Sequence, residues 1–499
     1  MPALKKVLIA NRGEIALRVL RTCEEMGVTT VAIYSDADRT SLPVRLADEA
    51  YHVGGNAPSE SYLRGDRIIE IAKECGADGI HPGFGFLSEN AEFVRKVTDA
   101  GIKFIGPPPE AMELMGDKLS SRTAMIEAGV PVVPGTTEPA ANERDAMKAA
   151  EEIGYPVMLK ASAGGGGKGI RIVTKPDEMA SAFRTASGEA ENAFGDGRMY
   201  LEKYLVEPRH IEVQIIGDEH GNVYALGDRE CSIQRRHQKM IEEAPANGLT
   251  DEVRAAMAEA AIRAAKAVDY VNAGTVEFLY SRGDFYFLEM NTRLQVEHAV
   301  TEQIFGIDIV EMMVNVAGGQ ELPDLTKLRA HGHSIEVRIN AEDPENNFIP
   351  SLGEIENVRI PGGRGVRIDS AVFNGMEVTP YYDSMVGKLI SHGPTRHAAI
   401  QCMLRMLHEF HIGGICTNAT LAWQVLHSPE FIEGKYDTSF LEAFLEGGTP
   451  HESDLEEIAA ILAVLARVSK TATPVTSSGG SGLSPWVMSH RAKLGRGVC

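Results

Sequence analysis

The chain has 499 residues, 43% of them hydrophobic and 24% charged, with a formal net charge of −21. That is the composition of a soluble globular protein with room for roughly three domains of about 150 residues, and its acidity repels nucleic-acid phosphate, so no nucleic-acid partner is expected. No apolar run approaches the roughly 20 residues that span a bilayer, so no membrane partner is expected, and the opening MPALKKVLIANRG enters an apolar strand at once, which leaves no room for a leader segment and reads as cytoplasmic.

The first elements read as βαβ. A strand at Val7–Ala10 is followed by a turn at Asn11-Arg12-Gly13, then a helix over Glu14–Met26 with apolar spacing through Ile15, Val19, Leu20, Cys23 and Met26. Gly27 stops the helix and Val31–Tyr34 is the next strand. The alternation continues to about residue 115 and implies a mainly parallel sheet. A dinucleotide-binding fold is excluded, because the first βα turn holds one glycine where G-x-G-x-x-G is needed.

From Val157 to Asn291 the pattern changes to antiparallel hairpins separated by helices, the clearest being Ala255–Val268. Beyond about residue 330, short strands alternate with Gly/Pro turns such as Pro361-Gly362-Gly363. A helix is expected over Glu452–Lys470, then a Ser/Thr/Gly-rich linker over Thr471–Gly482 and a basic end carrying Trp486. The six cysteines, Cys23, Cys75, Cys231, Cys402, Cys416 and Cys499, form no C-x-x-C pair and read as neither a zinc site nor a disulfide framework.

Two segments carry chemistry. In the first, an apolar strand ending at Lys160 runs into the glycines 164–167, including Gly165, Gly166 and Gly167, and a strand returns over Ile170–Val173. Without Cβ atoms, several backbone N–H groups can face one anion, and Lys160, Lys168 and Arg171 add positive charge. A Walker loop would lead into a helix. Here a strand follows, so the loop caps a hairpin, as in a lid closing over a triphosphate.

The second segment, Thr275–His298, reads as a hairpin with a three-residue loop, Ser281-Arg282-Gly283. Tyr280 then pairs with Asp284 and Glu277 falls opposite Phe287. Glu289 becomes the diagonal neighbour of Glu277 on the same face, with Asn291 two residues further on. Two acids and an amide flanked by aromatics suit Mg²⁺ (or Mn²⁺), which takes a few carboxylate oxygens together with substrate phosphates. A slip of one residue would put the two acids on opposite faces. The basic run Arg229–Lys239 is a candidate anion site. Arg338 sits mid-strand in Ile335–Asn340, where an arginine needs a carboxylate or ligand partner.

At these residues the chain closely resembles the biotin carboxylase family of ATP-grasp enzymes, from about Lys5 to Leu445. The matching motifs are IANRGEIALRVLR, HPGFGFLSEN, FIGP, MGDK, KASAGGGGKGIRIV, EKYLVEPRHIEVQ, RRHQK, EEAPA, EFLY…FYFLEMNTRLQVEH, EVRINAEDP and PYYDSMVGKLI. The resemblance implies a mixed α/β and α+β fold in three parts. A parallel-sheet N-terminal domain would span 1–115, an ATP-grasp domain 116–330 with a lid over about 131–204, and a C-terminal domain 331–446, followed by a helix, linker and basic tail over 447–499. It implies ATP- and bicarbonate-dependent carboxylation of the N1 ureido nitrogen of biotin through carboxyphosphate.

The resemblance also implies roles. Lys118, Lys160 and the glycine loop would hold the ATP phosphates. Glu202, Lys203 and Leu205 would hold the adenine and His210 the ribose side, with Gln234 and His237 also at the nucleotide. Glu277, Glu289 and Asn291 would hold the metal. Lys239, Arg293, Gln295, Val296 and Glu297 would hold bicarbonate. Glu297 would be the general base, and Arg338 would face both bicarbonate and biotin, with Phe84 at the biotin pocket.

Two positions depart from the family pattern. Phe84 stands where tyrosine is common, and Ala299 follows Glu297-His298 where proline is usual. Ala146-Met147-Lys148 lacks the second Met of a biotin attachment sequence, so biotin is expected on a separate biotin carboxyl carrier protein. A separate carboxyltransferase subunit and a homodimer are expected with it. A carbamoyl-phosphate synthetase-type ligase is the main rival, and RRHQK with Arg338 favours biotin over ammonia as acceptor.

Overall fold

The computed structural model describes residues 3–136, 138–161, 170–194, 197–236 and 238–447. The glycines 164–167, His237, the expected Glu452–Lys470 helix and the whole tail lie outside them. The strands β1 (Lys6–Ile9), β2 (Thr29–Ser35), β3 (Glu49–Gly54), β4 (Gly79–His81) and β5 (Lys103–Phe104) form a five-stranded sheet in the order β3-β2-β1-β4-β5, with every pairing parallel. The parallel sheet inferred from the βα alternation is therefore present. Helix α1 (Gly13–Glu25) buries Ile15, Val19, Leu20 and Cys23, the apolar stripe read from the sequence. Its Arg18 is also buried, ion-paired with Glu302 at 2.8 Å and Asp308 at 2.9 Å, which ties the N-terminal region to the helices around residue 300.

Two antiparallel sheets follow. The strands β6 (Val157–Ala161), β7 (Ile170–Val173) and β8 (Met199–Lys203) make a three-stranded sheet in the order β7-β6-β8. Lys160 pairs with Ile170, so the polyglycine segment does join two strands of one hairpin. An eight-stranded sheet is built on β9 (Arg209–Gly217), β10 (Val223–Arg235), β11 (Gln238–Ala244), β12 (Asn272–Ser281), β13 (Asp284–Asn291) and β14 (His333–Asn340). Its order is β13-β12-β9-β10-β11-β14, continued by the strands Met385–Gly393 and Val366–Ser370. The sheet thus runs without a break across residue 330, where the sequence pattern changes. Val337, Ile339 and Leu389 place their side chains in one core with Met403 and Met406 of the helix Arg396–Glu409. Among the described residues no helix is long and apolar enough to cross a membrane.

Candidate active site

The β12–β13 hairpin corrects the expected register and keeps its consequence. Its loop has two residues, Arg282 and Gly283, both with positive φ (53° and 99°), and Ser281 pairs with Asp284. Positive φ at both central positions is the turn whose twist matches the flanking strands. Phe278, rather than Glu277, stands opposite Phe287. Unbroken, this register would bring Leu288 opposite Glu277. A bulge between Glu277 and Phe278 absorbs Leu288, so Glu277 pairs directly with Glu289 and Thr275 with Asn291. Leu288 is correspondingly exposed.

Lys239 lies at the centre of the site. Its Nζ is 2.6 Å from Glu212, 2.8 Å from Glu277 and 2.7 Å from Glu297. Burial pulls the ammonium down, but the three carboxylates outweigh it and raise it well above the usual lysine range. Arg338 donates to Glu242 at 2.6 Å and to Glu297 at 2.9 Å, the carboxylate partners its mid-strand position called for. Glu297 is fully buried and immediately precedes the helix His298–Phe305, without a side-chain capping hydrogen bond. Burial alone would raise its pKa; Lys239, Arg338 and Arg229 together hold it well below the ordinary carboxylate range.

Glu277 accepts from Asn291 at 2.8 Å and Gln295 at 3.2 Å, and its second oxygen is 2.7 Å from His210. Burial lowers His210, yet Glu277 outweighs it and leaves the ring raised. Glu289 faces the solvent side, and desolvation and then the charge of Glu277 push its carboxyl up. Among the described residues Glu289 has no hydrogen-bond or ion-pair partner. Two facing carboxylates, one raised by the other, and an amide beside them are a donor set that a hard divalent cation fits.

Arg293 donates to Glu89 at 3.0 Å, Asn291 at 3.0 Å and Gln295 at 3.1 Å, so the turn from Asn291 to Gln295 is held together by hydrogen bonds just before Val296 and Glu297. Two clefts meet at this turn. One, about 520 Å³, is lined by Asn11, Arg12, Glu14, Phe84, Tyr381 and Tyr382. The other, about 1230 Å³, is lined by His210, Gln234, Glu277, Glu289, Asn291 and Gln295. Lys239, Arg293, Val296 and Arg338 line both. Three cationic side chains therefore stand where the two clefts meet, each held by carboxylates.

Other expected residues stand apart from this junction. Lys160 is ion-paired with Glu202 across the three-stranded sheet. Lys203 donates to the carbonyls of Gly154 at 2.7 Å and Tyr155 at 3.1 Å. Leu205 is half-buried beyond the end of that sheet. Lys118 begins the helix Lys118–Glu127. Gly165, Gly166, Gly167 and His237 fall outside the described residues.

The basic run Arg229–Lys239 divides. Arg229 is fully buried, ion-paired with Glu212 and donating to Gln214 at 2.7 Å and Thr301 at 3.0 Å, so it is not an anion site. Its partners sit on β9 and on the helix His298–Phe305, and an arginine enclosed by them has no face left for a ligand. Sequence reasoning missed Glu212 and Glu242. Both lie within quoted motifs; Glu212 alternates with Ile211 and Val213 along a strand, which was the available signal, whereas Glu242 stands beside a second acid, Glu243, and carried none.

Three family models match consecutive parts of the chain. They are "Biotin carboxylase, N-terminal domain" over residues 3–112, "Carbamoyl-phosphate synthase L chain, ATP binding domain" over 117–325, and "Biotin carboxylase C-terminal domain" over 336–443. The chain is 52% identical over 444 residues to a biotin carboxylase of Halalkalibacterium halodurans, covering 89% of this chain and 98% of that protein. It is 51% identical over 441 residues to a biotin carboxylase of Nostoc, covering 88% and 98%. Among solved structures it is similar to the biotin carboxylase domain dimer of Hydrogenobacter thermophilus 2-oxoglutarate carboxylase in complex with MgADP, ADP and bicarbonate. That likeness has a TM-score of 0.78 and 48% identity, covering 88% of this chain and 98% of that one.

Proposed function

This chain belongs to the biotin carboxylase family, and from that premise we propose that bicarbonate is activated at the junction of the two clefts and transferred there to biotin. The enzyme is an ATP-dependent ligase that catalyses the first half-reaction of a biotin-dependent carboxylase. The carrying observation is that Lys239, Arg293, Val296 and Arg338 line both clefts while Glu297 is held between Lys239 and Arg338. ATP occupies the larger cleft and biotin the smaller. The flanking models, both biotin carboxylase, favour biotin over ammonia as acceptor.

Bicarbonate enters among Lys239, Arg293 and Arg338, with Gln295 and Val296 beside it. It competes with Glu297 for two of its cations. As they turn to the substrate, Glu297 loses the charges that depress it and becomes a stronger base. It then takes the bicarbonate proton while a bicarbonate oxygen attacks the γ-phosphorus and ADP leaves, giving carboxyphosphate. Glu277, Glu289 and Asn291 would hold Mg²⁺, or Mn²⁺, which neutralises phosphate charge when bound. Lys118, Lys160 and the glycine loop contact the phosphates. Glu202, Lys203 and Leu205 take the adenine, and His210, Gln234 and His237 the rest of the nucleotide. Carboxyphosphate yields CO₂ and phosphate. The phosphate takes the N1 proton of biotin, Arg338 stabilises the ureido oxygen, and the nitrogen attacks CO₂. Phe84 lines the biotin cleft.

The domain limits 1–115, 116–330 and 331–446 belong to the same reading, supported by the ranges of the three family models. Biotin arrives on a carboxyl carrier protein separate from this chain, a separate carboxyltransferase subunit completes the reaction, and the chain works as a dimer. The test is ATP cleavage with and without bicarbonate and free biotin. Cleavage that requires bicarbonate and rises with biotin is expected. A Glu297→Gln variant that folds should lose at least about 100-fold of that rate. Cleavage indifferent to bicarbonate would overturn the proposal.

A further inference from the structure

We infer that Lys388 is a positioning residue that sets the bicarbonate-holding turn from beneath, an inference that rests on the functional reading above. Lys388 lies on the strand Met385–Gly393, where it pairs with Arg338 of β14 on one side and Asp369 on the other. It is fully buried and touches neither cleft. Its Nζ donates to the Val296 carbonyl at 2.6 Å. Three carboxylates from three different elements surround the ammonium: Glu14 of α1 at 3.5 Å, Asp369 at 3.8 Å and Glu336 of β14 at 4.0 Å. Burial lowers the lysine, but these acids outweigh it and keep it charged.

A buried ammonium is costly, and a neutral donor would suffice to satisfy one carbonyl. The charge has a use at this carbonyl. A trans peptide points its C=O and N–H in opposite directions. With the Val296 oxygen drawn inward to Lys388, the Glu297 N–H is aimed away from the buried cluster. Among the described residues no acceptor takes that N–H. If the peptide flipped, the carbonyl oxygen would face an arriving anion and repel it. Lys388 therefore fixes which end of the Val296–Glu297 dipole the anion meets. Glu14, which lines the smaller cleft and belongs to α1, anchors this device to the N-terminal sheet. Among the described residues, neither carboxyl oxygen of Glu14 or Glu336 has a hydrogen-bond partner; burial pushes both carboxyls up, Glu14 to about 7 and Glu336 well above the usual range, with the Lys388 charge opposing it.

The test is steady-state ATP cleavage with bicarbonate and ATP varied in turn, on the full chain. Lys388→Met should raise the KM for bicarbonate at least about tenfold, the loss of one charge-assisted hydrogen bond, and leave the KM for ATP within about twofold. Glu14→Gln, a milder change, should raise the bicarbonate KM about threefold or more with the same selectivity, and it decides the matter if the Lys388 variant does not fold. Leu389→Ala serves as the packing control, since Leu389 is buried on the same strand but its side chain lies in the apolar core with Val337. Equal rises in both KM values, a fall in kcat alone, unchanged constants in Glu14→Gln, or a Leu389→Ala variant matching Lys388→Met would each overturn the inference. A wild-type chain whose ATP cleavage ignores bicarbonate would remove the functional reading itself, a separate failure.

Discussion

At the scale of single residues, the site is a problem in paired charges. Lys239 stands within 2.8 Å of Glu212, Glu277 and Glu297 together. Two of these acids are fully buried and the third nearly so. Removing a partner from such a cluster leaves uncompensated charge in the interior, typically at a cost of about 3–5 kcal/mol. Lys239→Met should therefore be destabilised by about that amount as well as inactive, measured by denaturant unfolding. Unchanged stability would mean that water reaches these carboxylates. Lys239, Arg338 and Glu277 were legible from residue type and spacing, and Glu297 through the family resemblance. The count of partners was not, because Glu212 and Lys239 are 27 residues apart in sequence and meet only when β9, β10 and β11 pair.

At the scale of the element, the metal-binding reading depends on one residue of register. The short Arg282-Gly283 turn alone would oppose Glu277 to Leu288; the bulge at Leu288 restores Glu277 to Glu289. Deleting Leu288 removes the bulge and leaves Glu289 opposite Glu277 in an unbroken ladder. The expected outcome is a folded protein in which Mg²⁺ still strengthens ADP binding, whereas Glu289→Ala abolishes that strengthening, both read by calorimetry with and without the ion. Retained Mg²⁺ dependence in Glu289→Ala would separate the metal from this pair of acids. Alternation of apolar and polar residues announced both strands, and the glycine announced the turn. The bulge left no mark in the sequence, since an exposed leucine on a strand looks like any other residue in the alternation.

Across the molecule as a whole, the eight-stranded sheet carries residues from 209 to 393 and joins the nucleotide-binding part to the C-terminal part. A second buried network holds that junction. Glu243 of β11 pairs with His333 of β14 at 2.6 Å and with Arg396 at 2.7 Å, and accepts from Tyr436. Burial pushes Glu243 up, but His333 and Arg396 outweigh it and hold its carboxyl at about 2. A carboxyl depressed on folding stabilises the native state above its unfolded pKa and loses that stabilisation as pH falls toward the folded value. The contribution, up to about 3 kcal/mol at one pH unit per 1.36 kcal/mol, should disappear between about pH 4.5 and pH 2. Glu243→Gln should flatten that part of the stability–pH curve, followed by urea midpoints across the range. A curve of unchanged shape would place the acid sensitivity elsewhere.

Local periodicity and contiguous motifs were enough to establish the parallel and antiparallel regions, the glycine hairpin, the strand-borne acids and the family. Folding in three dimensions settled the rest: that Glu277 faces Glu289 across a bulge, that Arg229 is interior while Lys239 reaches both clefts, and that Lys388 grips Val296 from below. Those outcomes depend on contacts between residues tens to hundreds of positions apart, and no local pattern encodes which distant side chain a folded sheet will bring within about 3 Å.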